Sequence, residues 1–409
     1  MTGRAARVLL DELPVGELIE DDDGYVEFRI LQRYREMGRR PVLGQWFEDQ
    51  RHGTQRGARP RELPPFFANL IPEGALRLRL GKLLGVDPVD DFGFLCAVGR
   101  DLPGAVVVEP HDGDLRGRAV PPPSEPAVEP GLRFSLAGVQ LKFSMRREGE
   151  RLSVPGRDER GDWIVKIAFD NYPDLCANEW VTMQWARLAG FDVPETELRT
   201  LRDLAGAPHE ADPDTPVFII RRYDREPGNR RIHQEDFQQI VGRRPEGKYD
   251  DVTYDGLVLL ASRIVGDDAY EEMLRRLAFI VASGNDDAHM KNWSVTYPNT
   301  YPHGIQAQLS PLYDQVFTAQ WPQFSTEMAL KLGGTKEFAA ITIARFRELA
   351  RRVHQSPDDA EQIVLQTVSQ IVEVWNELRE DPRVTPAYRE ALQRHWRKVP
   401  LLQPHALLI

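Results

Sequence analysis

The sequence predicts an α+β fold in which a mixed α/β lobe precedes a helical C-terminal lobe. Short runs of apolar residues typical of strands dominate to about residue 223, most clearly over residues 163–168 and 217–224. Apolar residues at helical spacing dominate after that point, at residues 254–265, 269–283 and 358–379. The change of pattern at residues 221–224 predicts two lobes, of which the C-terminal one is all-α.

The first part of the chain predicts an additional N-terminal subdomain. Its pattern indicates short antiparallel strands, then helical residues 65–84, a helix capped by residues 87–91, and a strand at residues 106–109. The proline-rich residues 121–130 cannot form a helix or a central strand and indicate a linker. We therefore predict three domains, at 1–125, 126–223 and 224–409. Further helices are predicted at residues 173–190, 234–241, 342–354 and 385–396.

Composition excludes several classes of protein. A formal net charge of -11 argues against a surface that binds nucleic acid everywhere, although Arg221-Arg222 or Arg243-Arg244 could form a local basic patch. Two cysteines are too few for a disulfide framework or a cysteine-based zinc site. No apolar run approaches the roughly 20 residues of a membrane helix, and the first residues do not resemble a secretory signal. We expect a cytoplasmic protein without a membrane partner.

One polar segment has the spacing of a phosphoryl-transfer site. Kinases hold a metal-bound triphosphate with an Asp, an Asn five positions later and a second Asp further on, and Asp287, Asn292 and Asp314 have this spacing. Asp287 would be the catalytic base, Asn292 and Asp314 would bind Mg²⁺, and Lys291 would neutralise the transferred group. Each residue alone could instead belong to a turn or helix cap. His289 fits a core histidine that braces the loop as well as a catalytic one.

Two further features fit the same chemistry. Lys166 lies in the apolar strand 163–168, where it could contact a phosphate, with Glu179 of the next helix to orient it. An edge-strand lysine that reaches solvent is the equally weighted alternative. Residues 135–142, Ser-Leu-Ala-Gly-Val-Gln-Leu-Lys, could bend over phosphates, although a simple strand turn explains this segment better by itself.

Taken together and in order, these motifs resemble the HipA family of bacterial serine/threonine kinases, the toxin halves of toxin–antitoxin pairs. The resemblance covers nearly the whole chain. It is carried by stretches at residues 66–73, 98–106, 135–142, 178–180, 222–225, 233–236, 287–292 and 311–314. It implies a bilobal protein-kinase-like fold with ATP and Mg²⁺ as cofactors.

The resemblance also assigns residues. It implies catalytic roles around Asp287, with Lys291 and His289 beside it, metal ligation by Asn292 and Asp314, and autophosphorylation of Ser135. It implies ATP contacts from the phosphate loop, the strand lysine and the segment between the lobes, namely Ala137, Gly138, Val139, Gln140, Lys142, Lys166, Ile220, Arg221, Arg222 and Tyr223. The chain departs from the family pattern at Val139 and Leu141, which make the loop more apolar, and at Arg221, where an acidic residue is expected.

For function, the resemblance implies a protein kinase that phosphorylates a translation component such as an aminoacyl-tRNA synthetase and halts growth. Its expected partner is a HipB-like helix-turn-helix antitoxin, through which it would reach DNA. Two alternatives remain open. Asp287, His289 and Asn292 also fit the Asp-x-His-x-x-Asn loop of phosphatidylinositol kinases, which allows a lipid or small-molecule kinase. The chain could also be a catalytically silent co-repressor.

Overall fold

The N-terminal part of the chain forms an antiparallel sheet covered by helices. This computed structural model describes residues 3–50, 53–111, 140–149, 151–153, 161–168, 172, 174–205, 212–227, 230–249, 251–298, 306–321 and 327–406. The first sheet has the strand order β4-β3-β2-β1-β5. Its strands are β1 (Ala5–Leu10), β2 (Leu13–Glu20), β3 (Val26–Ile30), β4 (Thr54–Arg56) and β5 (Val106–Pro110).

Five helices pack on this sheet: α1 (Gln32–Arg35), α2 (Gln45–Asp49), α3 (Pro65–Ala68), α4 (Gly74–Leu84) and α5 (Asp91–Val98). An aromatic cluster joins the two layers, with Phe28 of β3 lying 5.2 Å from Phe47 and 4.8 Å from Phe67 between ring centroids. The predicted single helical stretch at residues 65–84 is two helices. Pro72 lies between α3 and α4, and Gly74, at φ +57°, begins α4 with a backbone conformation outside the helical region.

The second sheet has the order β7-β6-β8-β10-β9 and carries one long helix. It comprises β6 (Gln140–Glu148), β7 (Arg151–Ser153), β8 (Trp163–Ala168), β9 (Thr196–Thr200) and β10 (Pro216–Arg221), with α6 (Leu175–Leu188) between β8 and β9. The predicted strand at residues 217–224 ends early, at Arg221. The residues that follow leave the sheet because Arg222, Asp224 and Arg225 bind the N-terminal domain.

Helices form most of the C-terminal lobe: α7 (Phe237–Ile240), α8 (Tyr254–Val265), α9 (Asp267–Ser283), α10 (Ile343–Arg352), α11 (Pro357–Leu378) and α12 (Pro386–Lys398). Local sequence explains several starts. Ser356 accepts a hydrogen bond from Asp359 N ahead of Pro357, and Thr385 accepts one from Tyr388 N ahead of Pro386. No helix in the described ranges is long and apolar enough to cross a membrane.

The prediction of an all-α C-terminal lobe was wrong in one respect, because short strands accompany the helices. These are β11 (Arg225–Glu226), β12 (Arg230–Arg231), β13 (His233–Asp236), β14 (Ser294–Tyr297), β15 (Gln308–Leu309), β16 (Glu327–Leu332) and β17 (Thr335–Glu337). The predicted helix at residues 234–241 is therefore β13 followed by α7. The capping box of Asp236 and Gln239 starts that helix late.

One large hydrophobic core extends from α6 through the C-terminal lobe. Trp185 of α6 donates to Ile371 O at 2.9 Å, and its ring lies 5.0 Å from that of Trp375. Trp396 of α12 donates to Ala282 O at 2.8 Å. The α6 helix is therefore held by both lobes, and the lobes share a core across the predicted limit at residue 223.

Truncating this core has a predictable cost. Trp375 is 1% exposed and packs between the rings of Trp185 and Tyr388. We expect Trp375→Ala to lower the free energy of unfolding by about 3–5 kcal/mol, because the cavity cannot close fully. Leu365→Ala on the same helix, at a side chain 49% exposed, should change it by less than about 0.5 kcal/mol. Denaturant unfolding measures both, and equal losses would contradict this account of the core.

Candidate active site

A cleft of about 440 Å³ lies where the second sheet, the C-terminal lobe and the N-terminal domain meet. Most of the predicted site residues line it, although they are distant in sequence: Lys142, Lys166, Ile220, Arg221, Arg222, Tyr223, Asp287, His289, Lys291, Asn292 and Asp314. Four predicted residues of the phosphate loop, Ser135, Ala137, Gly138 and Val139, lie outside the described residues. Gln140 is the first residue of β6, and the structure describes its backbone.

Lys166 is the most deeply placed cation of the cleft. Its strand β8 lies between β6 and β10, and the residue is 4% exposed, so it is not an edge lysine that reaches solvent. Its Nζ donates to Glu179 Oε1 of α6 and to Asp314 Oδ1. A buried charge is stable only with such partners. Burial opposes its charge, but the two carboxylates outweigh burial and raise the pKa of Lys166 above its usual value.

Asp314 joins the two sides of the cleft. Besides Lys166, it contacts Lys142 of β6, whose Nζ lies 3.2 Å from Oδ2 and 3.3 Å from Oδ1. Burial favours the neutral acid, yet these two ammonium groups hold the pKa of Asp314 well below its usual range. Its backbone adopts φ +56°, which is strained for a residue with a side chain. The site therefore contains an ionised carboxylate on a locally strained turn.

Hydrogen bonds between its own side chains and backbone hold the polar segment after α9. Gly284, with φ +59°, caps the end of α9, and Asn285 Oδ1 then accepts from Asp287 N at 3.0 Å. Asn292 Nδ2 donates to Asp287 O at 2.8 Å, which closes the loop. The Asp287 carboxylate accepts from Tyr249 OH at 2.5 Å. Burial raises the pKa of Asp287, although the tyrosine hydroxyl opposes the shift.

His289 and Lys291 differ in their surroundings. His289 is 6% exposed, its ring meets that of Tyr249 edge to face at 5.3 Å, and burial keeps its pKa well below the usual value. Among the described residues, its Nδ1 has no hydrogen-bond partner. Burial therefore favours the neutral imidazole of His289, whose side chain lines the cleft. Lys291 is more exposed, and its Nζ donates to Glu73 Oε1 of the N-terminal domain.

The donor set fits one Mg²⁺ shared with phosphates. Because Asn292 uses Nδ2 within the loop, its side-chain oxygen is the atom left for a cation, and Asp314 adds an ionised carboxylate. Magnesium prefers oxygen ligands and is often held by one or two side chains plus waters and phosphates. Within the described ranges, no group of three or more His, Cys, Asp or Glu residues could hold a metal alone.

Family comparisons agree with this architecture. Residues 6–109 match the HipA N-terminal domain, and residues 134–375 match the HipA-like C-terminal domain. The chain belongs to the HipA family. Its α+β, bilobal kinase-like fold is confirmed by a solved structure, the Shewanella oneidensis HipA, HipB and operator DNA complex, with a TM-score of 0.76. That match covers 98% of this chain and 99% of the other at 20% identity.

Relatives in the HipA family are named as kinases. "Putative kinase Y4dM" of Sinorhizobium fredii is 36% identical over 96% of this chain and 96% of its own length. A second protein of that organism, "Putative kinase Y4mE", is 30% identical over 81% of this chain and 82% of its own. The serine/threonine-protein kinase toxin HipA of Shewanella oneidensis is 26% identical over 66% of each chain.

Several residues of this HipA-family cleft were not expected from the sequence: Glu73, Asp236, Lys248 and Tyr249. Burial lowers the pKa of Lys248 and raises that of Asp236 to about 7. Glu73 and Asp236 lie within stretches that carry the family resemblance, yet only tertiary contacts bring them, with Lys248 and Tyr249, to the site. Arg222 also differs from expectation, because its side chain binds Asp224 and Asp101 rather than pointing freely into the cleft.

The buried lysine leads to a stability prediction. Lys166→Met leaves Glu179, which is fully buried, without its cation, so we expect a loss of about 3–5 kcal/mol in the free energy of unfolding. The double variant Lys166→Met/Glu179→Met should recover most of this loss, since a paired replacement leaves no isolated charge. Denaturant unfolding of the single and double variants tests this. If Lys166→Met left the free energy of unfolding unchanged, the ion pair would not be what holds the cleft together.

Proposed function

We propose that the chain is an ATP- and Mg²⁺-dependent serine/threonine protein kinase. The observation that carries this proposal is the convergence of two parts in one cleft. Lys166 is held by Glu179 and Asp314, and the loop from Asp287 to Asn292 faces it across the same space. A strand lysine, a helix glutamate and metal-binding Asp and Asn residues are the recurring parts of kinases.

In this proposal each residue has one role. Asp287 orients the acceptor hydroxyl and takes its proton, and the Tyr249 hydroxyl fixes the carboxylate in that task. Lys142 and Lys166 bind phosphate oxygens, Lys291 neutralises charge on the transferred phosphoryl group, and residues 135–142 form the phosphate loop. Residues 220–223 contact the adenine, Arg222 through its main chain because its side chain binds Asp101 and Asp224. Asn292 and Asp314 hold Mg²⁺, which when bound neutralises phosphate charge.

We further propose three functional units, at residues 1–125, 126–223 and 224–409. Separate hydrophobic clusters in the first sheet and in the second sheet support the limit near residue 125. The core shared by α6 and the C-terminal lobe means that the last two units form a single folding unit.

For target and partner, we propose a translation component such as an aminoacyl-tRNA synthetase, whose modification would arrest growth in the cytoplasm. The partner would be a HipB-like helix-turn-helix antitoxin that carries the kinase to operator DNA. The Shewanella oneidensis HipA is found in a complex with HipB and operator DNA, and its fold matches this chain over nearly the whole length. The net charge of -11 agrees with DNA contact made mainly by the antitoxin.

The central test is loss of phosphoryl transfer in two variants. Asp287→Asn removes the base, and Asp314→Asn removes an ionised oxygen ligand. We expect each variant to reduce transfer by at least about 10²-fold, which is the usual range for such groups. Incorporation of radiolabelled phosphate from ATP into protein substrates measures this. Glu390→Gln, at an exposed side chain of α12, is the control and should keep full activity.

The same assay separates the alternatives. Transfer to phosphatidylinositol vesicles but not to protein would replace the protein kinase with a lipid kinase. Magnesium-dependent ATP binding without transfer to any acceptor, including the chain itself, would favour a silent co-repressor. Undiminished transfer by both variants would overturn the assigned site.

We also propose that Ser135 is autophosphorylated and that this switches the enzyme off, since a dianionic group in the phosphate loop would compete with ATP. After incubation with ATP and Mg²⁺, intact mass should rise by one phosphate in wild type and stay unchanged in Ser135→Ala. The variant should also retain activity for longer in a time course. A phosphate located only at other residues would contradict this regulation.

A further inference from the structure

The N-terminal domain contributes one wall of the cleft. The segment between α3 and α4, residues 69–73, lines it together with the loop from Asp287 to Asn292. From this segment Glu73 extends to Lys291, whose Nζ donates to Oε1 although the residues are 218 positions apart. The two side chains are 37% and 16% exposed, so the pair lies at the mouth of the cleft.

That wall is bonded to the C-terminal lobe. Asn69 Nδ2 donates to Arg243 O at 2.8 Å, and Gln239 Nε2 donates to Phe66 O at 3.1 Å. On the other side of the pair, Lys291 O accepts from Tyr313 OH at 2.9 Å. The segment that leads to Glu73 and the backbone of Lys291 are therefore both anchored, and the ion pair joins their two side chains.

The side chain of Glu73 does not cap the helix that follows it. It precedes α4 at the N-cap position, yet within the described chain its carboxylate accepts no hydrogen bond from the first turn. A partly exposed ion pair stabilises a fold only slightly. Neither helix capping nor global stability thus explains why the carboxylate lies against Lys291.

We propose that Glu73 is a positioning residue for phosphoryl transfer, which the N-terminal domain supplies to the active site. The inference rests on the proposed kinase function. An ammonium group has three donor hydrogens, so Lys291 can keep Glu73 as one acceptor and present the others to the transferred phosphoryl group. The flexible four-carbon side chain of Lys291 is held at Nζ by Glu73, so it loses less conformational entropy when the transition state of phosphoryl transfer forms.

Glu73→Gln tests this role in the full-length protein. The amide keeps the shape but not the charge, so we expect kcat for transfer from ATP to fall about 10-fold, because Lys291 is no longer fixed. KM for ATP should change less than about 2-fold, since the contact acts on the transition state. The matched control is Glu48→Gln, which breaks an ion pair with Arg40 of similar exposure elsewhere in the N-terminal domain. Unchanged kcat in Glu73→Gln, or a rise in KM alone, would overturn the proposal.

A second readout does not depend on activity. An acetylating succinimidyl ester should modify Lys291 faster in Glu73→Gln than in wild type or Glu48→Gln, whereas the exposed Lys398 should react equally in all three. Peptide mass spectrometry gives both rates. Equal labelling of Lys291 would show that Glu73 does not hold it and would overturn the proposal even if kcat fell.

The two readouts also separate this inference from the function on which it rests. If wild type transfers no phosphate to protein, lipid or itself, the proposed function fails, and the catalytic role of Glu73 fails with it. The labelling rates would then still decide whether the N-terminal domain fixes Lys291. If wild type is active and only the Glu73 results are negative, the kinase assignment stands and this inference alone is overturned.

Discussion

A single buried ammonium group, that of Lys166, determines how the parts of the cleft must be arranged. Its two carboxylate partners come from different elements, Glu179 from α6 and Asp314 from the turn after β15. Removing a lysine charge from water costs several kcal/mol unless both partners are in place. The second sheet, α6 and the C-terminal lobe therefore have to assemble together, and the large core around Trp185 stabilises that arrangement from behind.

The cleft pairs its cations with carboxylates. Four lysines, Lys142, Lys166, Lys248 and Lys291, line it together with acids that include Glu73, Asp287 and Asp314. Lys142 and Lys166 contact Asp314, and Lys291 contacts Glu73, so these ammonium groups already have anionic partners. A phosphate that entered the cleft would therefore compete with these carboxylates for the lysines.

Local patterns predicted those parts of the fold whose hydrophobic repeats and caps lie within one segment. The start and end of α8 agree with prediction, as Thr253 caps a regular apolar repeat, and the central strand β8 was equally clear. The strand β13 was missed because it is short and polar, and pairs with β14, which follows about sixty residues later. At the site, spacing within one loop predicted Asp287 and Asn292 as neighbours. Glu73 could not be found in this way, since its partner lies on another domain.

The carboxylate of Asp101, in the loop before β5, limits how far one lobe can rotate against the other. Its carboxylate accepts from Ser144 Oγ of β6 at 2.6 Å, from Arg222 Nη1 at 2.9 Å and from Arg225 Nη2 at 3.0 Å. One residue of the N-terminal domain thus bonds the second sheet and the segment that leads into the C-terminal lobe. Rotation of one lobe against the other would strain or break these charge-assisted bonds. Hinge bending between the lobes is therefore restricted at this point of the structure.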